Sequence, residues 1–129
     1  MAEKAVVRTD DAPAPFQGAP YSQAVRYGDL VFVAGQVGLT AGHDALVGDS
    51  IEEQTEQACK NLEAILDAAG SSFAQVLNTT IFLSDFGDFA GVNDVYGRYV
   101  GDKPPARATV QVAALPMGAR VEIAVVAHV

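Results

Sequence analysis

The chain has 129 residues, half of them hydrophobic, and sixteen Asp and Glu against eight Lys and Arg give it a net charge of −8. With a pI of about 4.4 and no basic run it repels polyanions, which excludes a nucleic-acid surface or an anionic membrane as partner. Cys59 is the only cysteine, so no intrachain disulfide exists, and no apolar run has the length or flanks of a membrane span or signal segment; the expectation is one soluble, cytoplasmic domain over residues 1–129.

Residues 5–9 predict a short leading strand, followed by a proline-bearing approach loop over 10–19 and the segment Pro20-Tyr21-Ser22-Gln23-Ala24. Val25–Tyr27 and Leu30–Gln36 are apolar β-formers on either side of Gly28-Asp29, the pattern of a hairpin. In the second run Leu30, Phe32 and Ala34 share one face and Val31 and Val33 the other, so both faces demand cover. After a loop over 38–48 that contains His43, Ser50 and Glu53 form a capping box that opens a helix, and Gly70 stops it. Ile51, Thr55, Ala58, Leu62, Ile65 and Ala69 recur at helical spacing on its buried side, with Cys59 and Leu66 beside them. Glu52, Glu56, Lys60, Glu63 and Asp67 take the wet side, and carboxylates strung along one exposed helix do not converge on a cation.

Val76–Leu83 reads as a further strand that needs cover on both faces. Asp85 or Asp88 caps a second helix, whose Phe89, Val92, Tyr96 and Tyr99 form a core stripe. From Lys103 to His128, two β-branched runs flank Leu115-Pro116-Met117-Gly118, which predicts an antiparallel hairpin that pairs Gln111 with Glu122. Alternation then turns Ala108, Val110, Val112 and Ala114 toward the core together with Val121, Ile123, Val125 and Ala127. Arg107, Thr109 and Gln111 join Glu122, Ala124, Val126 and His128 on the opposite, cavity-lining face. In that register Arg107 and Glu122 lie roughly 13 Å apart along the ladder, too far for an ion pair within one chain.

The order is β-β-α-β-α-β-β with an extra leading strand. It predicts an α+β two-layer sandwich: a mixed sheet with two helices on one face. The second face is left bare although it carries apolar residues. Together with a mean hydropathy of +0.18, high for an acidic monomer, this predicts self-association.

Arg107 follows the rigid Pro104-Pro105 pair at a strand start, a preset fork for a carboxylate; the plainer alternative is a surface ion pair with one of the many acidic residues. Tyr21 follows a proline in a loop, and its phenol projects into a neighbour or cavity or packs on its own core, with the two readings evenly balanced. His43 and His128 have no metal-ligand spacing with Cys59, which reads as an inert small hydrophobe. Gly35-Gln36-Val37-Gly38 lacks the lysine and glycine pattern of a phosphate loop and reads as a strand end where backbone approaches something closely. Ser22 has no histidine near it and no elbow motif, so a turn hydroxyl is the better reading. Asn93, on the second helix, is more often a helix-to-loop hydrogen-bonder than a ligand group.

Taken together, Pro20-Tyr21-Ser22-Gln23-Ala24, Val33-Ala34-Gly35-Gln36, Gln54-Thr55 with Asn61-Leu62, Asp88-Phe89-Ala90 with Asn93 and Tyr96, Pro105-Ala106-Arg107, Leu115-Pro116 and Val121-Glu122-Ile123 resemble the RidA/YjgF family in order and spacing over nearly the whole chain. The resemblance implies a chorismate-mutase-like fold assembled as a homotrimer with three clefts between subunits. It implies an enamine/imine deaminase that hydrolyses 2-aminoacrylate and 2-iminobutyrate-type substrates to 2-keto acids and ammonia, with no metal or organic cofactor. By the same resemblance Arg107 clamps the substrate carboxylate, Tyr21 comes from the neighbouring chain, and Gly35 and Thr109 offer backbone contacts. Glu122 holds or activates water, and Ala34 and Asn93 fall among the substrate-binding positions. The chain departs from the family's archetype at Ala34, where the archetype has serine, and at Thr109, where it has cysteine; the stretch from Asn93 to Arg107 is also shorter. Loss of the serine hydroxyl favours a second reading, a non-catalytic trimer that binds small carboxylates. A ribonuclease role, ascribed to some relatives, fits poorly with the acidic pI.

Overall fold

The computed structural model describes residues 3–129. Its strands are β1 (Ala5–Val7), β2 (Ala24–Tyr27), β3 (Leu30–Gln36), β4 (Val76–Leu83), β5 (Ala106–Gln111) and β6 (Val121–His128), and its helices are α1 (Ile51–Ala68) and α2 (Phe89–Val100). The strands form one mixed sheet in the order β1-β2-β3-β6-β4-β5. Only β4 and β5 run parallel; the other neighbours are antiparallel. The expected hairpin over Gly28-Asp29 forms and pairs Tyr27 with Leu30.

α1 begins and ends where its sequence says it should. Ser50 is extended, and its Oγ accepts the Glu53 N–H at 3.1 Å while it donates to Glu53 Oε1 at 2.9 Å. Gly70 takes a φ of +83°, which a side chain would disfavour, and so ends the helix. The whole anticipated stripe, from Ile51 through Ala69, is buried, and Ala58, Cys59, Leu62, Ile65 and Leu66 are fully so. They pack on Val31, Ile81, Leu83, Val121, Ile123 and Ala127 in one continuous core. Each Leu or Ile buried there contributes about 1.5–3 kcal/mol. Cys59 is held among them, and its thiol is pushed up to about 12, chiefly by burial and secondarily by the Glu56 and Glu63 carboxylates. A thiol so rarely ionised is a poor nucleophile.

Sheet pairing overturns the hairpin predicted for 103–128. β5 and β6 do not touch; β4 lies between them, parallel to β5 and antiparallel to β6. Gln111 pairs with Leu83, and Glu122 pairs with Phe82. The reason is the connection. β4-α2-β5 is a crossover unit in which the helix returns the chain to lay β5 alongside β4, and the segment 112–120 is too long for a tight two-residue turn. Pro116–Gly118 instead makes a 3-10 turn with Met117 at φ +61° and Gly118 at φ +69°, which carries the chain over the end of β4.

The change of partner inverts the faces of β5. Val121, Ile123, Val125 and Ala127 do face the core. On β5, however, it is Arg107 and Thr109 that register with the buried Thr79 and Ile81 on the helix side. Ala108 and Val110 register with Thr80 and Phe82 on the open side, in line with Ala124 and Glu122. Arg107 and Glu122 therefore lie on opposite faces of the sheet, not on a shared one.

That open face is bare, as the sequence pattern requires. Phe32 and Val110 are 43% and 42% exposed, and Val6, Tyr27 and Leu30 are exposed with them. The α2 stripe holds for Val92 and Tyr96, which are buried, but Phe89 at its start is exposed. Asp85 caps the 3-10 turn Phe86–Asp88, and its side chain accepts the Gly87 N–H. Asp88 makes no cap bond and pairs with Arg120 at 3.3 Å. Among the described residues no helix is long and apolar enough to cross a membrane.

Candidate functional site

Arg107 stands at the start of β5, the last strand of the sheet, with its side chain toward α2. Its guanidinium carbon lies 5.3 Å from the centre of the Phe89 ring and 5.4 Å from that of Tyr96. These rings are two turns apart on α2, and the cation lies over both of them. Tyr96 is itself fixed: its hydroxyl donates to Thr79 Oγ1 at 2.8 Å inside the core. Among the described residues the ion pair formed is Arg120–Asp88, and Arg107 has no carboxylate partner. The other lysines and arginines of the described residues, Arg120 apart, also lack an ion pair; what distinguishes Arg107 is its place over two aromatic rings. Asn93 lies on α2 between the two rings, and its Oδ1 is buried without a hydrogen-bond partner. It is not the helix-to-loop bonder expected of it through that atom. Thr109 follows on the same face of β5, half-buried.

A second cluster forms at the end of β3. Between Val33 and Gln36 the register with β6 shifts, so Ala34 and Gly35 bulge from the ladder, and the Ala34 N–H donates instead to the Gln23 carbonyl at 2.9 Å. The Glu122 side chain lies across Gly35: a Cβ there would stand 2.8 Å from its carboxyl carbon and 2.9 Å from its Cγ. A side chain at position 35 would push the Glu122 carboxylate out of the place it occupies. This is the close backbone approach anticipated at Gly35-Gln36. Tyr21 completes the cluster and lines a crevice of about 60 Å³ with Gly35, Gln36, Pro116 and Glu122. Its phenol oxygen accepts the Phe16 N–H at 2.6 Å, which leaves its proton to donate elsewhere. Of the two readings of Tyr21, exposure wins: it is 45% exposed. It also borders a groove of about 530 Å³ on the open face, with Ser22, Phe32, Ala34, Thr80 and Ala124.

The residues singled out in the sequence thus fall into two groups, Arg107, Thr109 and Asn93 in one and Tyr21, Ala34, Gly35 and Glu122 in the other. None of the three cavities that Tyr21 borders is lined by a member of the first group. β3 and β5 are three strand positions apart, about 14 Å at the usual interstrand spacing, and the groups face opposite sides. Within one chain the two groups do not come together.

A family model described as Endoribonuclease L-PSP matches residues 9–129. The chain belongs to the RidA/YjgF family. It is 47% identical over 122 residues to the 2-iminobutanoate/2-iminopropanoate deaminase of Mus musculus, covering 95% of this chain and 89% of that protein. The crystal structure of RidA from the Antarctic bacterium Psychrobacter sp. PAMC 21119 matches with a TM-score of 0.91 at 39% identity, over 97% of this chain and 99% of that one. The structure of E. coli TdcF with bound serine matches at 0.88 and 32% identity, over 97% and 98% of the two chains.

Three amides quoted above only as parts of the segments that match the RidA/YjgF family, Gln23, Gln54 and Asn61, hold the two clusters in place, a role the sequence did not reveal. Gln23 is buried; its Oε1 accepts the Thr9 N–H at 2.8 Å, and its Nε2 donates to the Thr9, Ala12 and Pro13 carbonyls, which pins the approach loop beside Tyr21. Asn61 Nδ2 donates to the Val37 and Leu39 carbonyls and anchors the loop after Gly35 to α1. Gln54 Oε1 accepts the Arg120 N–H at 2.8 Å and so orients the start of β6. Their place in those motifs gave them no role; once they are seen to be buried, the role follows, since a buried amide must find partners.

Burial raises the Glu122 carboxyl above the ordinary carboxylate range, because the ionised form loses hydration. The folded state therefore keeps that proton to higher pH than the unfolded chain, and stability falls as pH rises from the ordinary value through the raised one. Glu122→Gln removes this penalty. In urea titrations the variant should be more stable than the parent at neutral pH and lose that advantage below the ordinary carboxylate range. An advantage independent of pH would show that Glu122 is not the strained group.

Proposed function

We propose that this protein hydrolyses reactive enamine and imine intermediates of the 2-aminoacrylate and 2-iminobutyrate type to 2-keto acids and ammonia. The observation that carries the reading is Arg107: a guanidinium over the Phe89 and Tyr96 rings, without an anion, against a helix that also bears the unpartnered Asn93 Oδ1. A planar fork so held recognises a carboxylate by two parallel hydrogen bonds. The enzyme works as a cytoplasmic homotrimer of chorismate-mutase-like domains, each spanning residues 1–129. The bare sheet faces meet at its centre, and Arg107, Asn93 and Thr109 of one subunit face Tyr21, Ala34, Gly35 and Glu122 of the next. The separation of the two groups within one chain and the apolar open face support this assembly.

The chemistry asks little of the protein. The substrate is a protonated imine whose carbon is already electrophilic. Water adds to that carbon as Glu122 takes one of its protons; Glu122 returns that proton to the carbinolamine nitrogen, the C–N bond breaks to release ammonia, and the hydroxyl proton passes through Glu122 to the ammonia, leaving ammonium and the keto-acid carbonyl. One water is consumed, one ammonium is released, and no electrons are exchanged. Arg107 fixes the carboxylate end, the Tyr21 hydroxyl donates a hydrogen bond to the attacking water or the carbinolamine nitrogen, and the backbone at Gly35 and Thr109 lines the cleft. Raising the Glu122 pKa brings it nearer working pH, which suits a general base. No step requires a metal or organic cofactor, and neither nucleic acid nor membrane is a partner.

The test generates 2-iminobutyrate with a threonine dehydratase in the presence of semicarbazide. An active deaminase diverts the imine and lowers semicarbazone yield at catalytic protein concentration. Binding of 2-ketobutyrate with no such diversion would support a carboxylate-binding trimer instead, the reading that Ala34 favours.

A further inference from the structure

Phe86 and Phe89 stand apart from the other large apolar residues around them. Leu83, Val92, Val95 and Tyr96 are buried, whereas Phe86 and Phe89 are 45% and 37% exposed. Their rings stack on one another, with centroids 5.0 Å apart and planes 17° apart. The pair is held rather than frayed. Asp85 Oδ1 accepts the Gly87 N–H at 2.8 Å and closes the turn, and the Phe86 N–H donates to Gln111 Oε1 at 2.8 Å, which ties that turn to the far end of β5. Phe89 is also one of the two rings over Arg107.

An unpaired cation therefore borders a rigid, exposed surface of two aromatic rings. Its complement is a carboxylate joined to a sizeable apolar body. The methylene of a three-carbon acid leaves most of that surface wet, whereas a branched or aromatic side chain covers it. We infer that the site prefers 2-imino acids with large apolar or aromatic side chains, which pack against the Phe86–Phe89 stack while the carboxylate is held by Arg107. This rests on the clamp role proposed above for Arg107 and adds the residue that sets selectivity. Phe86 is that residue, since Phe89 also supports the guanidinium and cannot be changed without disturbing it.

The semicarbazide competition is run with two imines, 2-iminobutyrate and the imine released from phenylalanine by an amino-acid oxidase. The parent should favour the aromatic imine, and Phe86→Ala should lower the ratio of the two kcat/KM values by about tenfold, with Phe86→Leu between them. If both imines are processed and the ratio does not move, the inference fails while the deaminase reading stands. If the parent processes neither, the deaminase reading fails, and equilibrium binding decides the inference. Phenylpyruvate should then bind about tenfold more tightly than pyruvate to the parent, with no advantage left in Phe86→Ala. Equal affinity for the two acids overturns the inference, as does a change of assembly state in Phe86→Ala by sedimentation velocity, which would make the rings a subunit contact.

Discussion

Arg107→Ala should lower kcat/KM for 2-imino acids by at least about a hundredfold, because it removes a charge-assisted, two-point contact to the substrate carboxylate. The protein should stay folded. Arg107 sits at the edge strand with one side open, and no hydrogen bond or ion pair of the described residues depends on its side chain. Arg107→Lys is the sharper version. Lysine keeps the charge but not the planar fork that meets a carboxylate at two points, and an ammonium stacks less well on the Phe89 and Tyr96 rings. Lysine should therefore recover only a small part of the loss. The comparison is made by imine-diversion kinetics, together with keto-acid affinity by calorimetry. Full activity in Arg107→Lys would mean that a positive charge suffices and the stacking on the two rings has no catalytic use. Full activity in Arg107→Ala would remove the clamp altogether.

Charging the open sheet face should have an equally large effect by a different route. Phe32 and Val110 are exposed in the single chain, so Phe32→Asp or Val110→Asp costs the isolated domain little. In a trimer that buries this face, each subunit would carry an uncompensated carboxylate in the interface, at a cost of several kcal/mol per subunit. The variants should sediment as monomers with an unchanged far-ultraviolet circular dichroism spectrum, and imine diversion should fall by about a hundredfold or more as the shared clefts disappear. Variants that remain trimeric and active would place the interface elsewhere.

Much of the fold could be read from residue pattern because its signals are local. The Ser50–Glu53 cap, the Gly70 stop, the α1 stripe and the Gly28-Asp29 hairpin each depend on residues within a few positions of one another. The bare second face was legible too, as apolar residues at Leu30, Phe32 and Val126 with no helix left to cover them. What the pattern could not reveal was which strands become neighbours. Two strands around a Pro-Gly turn look like a hairpin whether or not a third lies between them, and one wrong neighbour was enough to put Arg107 on the face of Glu122. The candidate residues of the site were legible mainly through resemblance. Their physical setting was not: Phe89 and Tyr96 read as core because an aromatic stripe usually is, and only the structure shows a cation lying over them. Gly35 was the exception, since a glycine inside a β-run signals that something approaches closely.

The central claim is that each active cleft takes Arg107 from one subunit and Glu122 from the next, and subunit complementation tests it most directly. Arg107→Ala and Glu122→Gln are purified separately, shown to be inactive, dissociated together in mild denaturant and reassembled in equal amounts. A cleft is then intact when an Arg107-bearing subunit meets a Glu122-bearing neighbour, which random assembly of trimers yields at about one cleft in four. The account predicts recovery of about a quarter of parental activity in the mixture and none when either variant is reassembled alone. A mixture that stays as inactive as its parts, with mixed trimers demonstrated by mass spectrometry, would contradict the shared cleft.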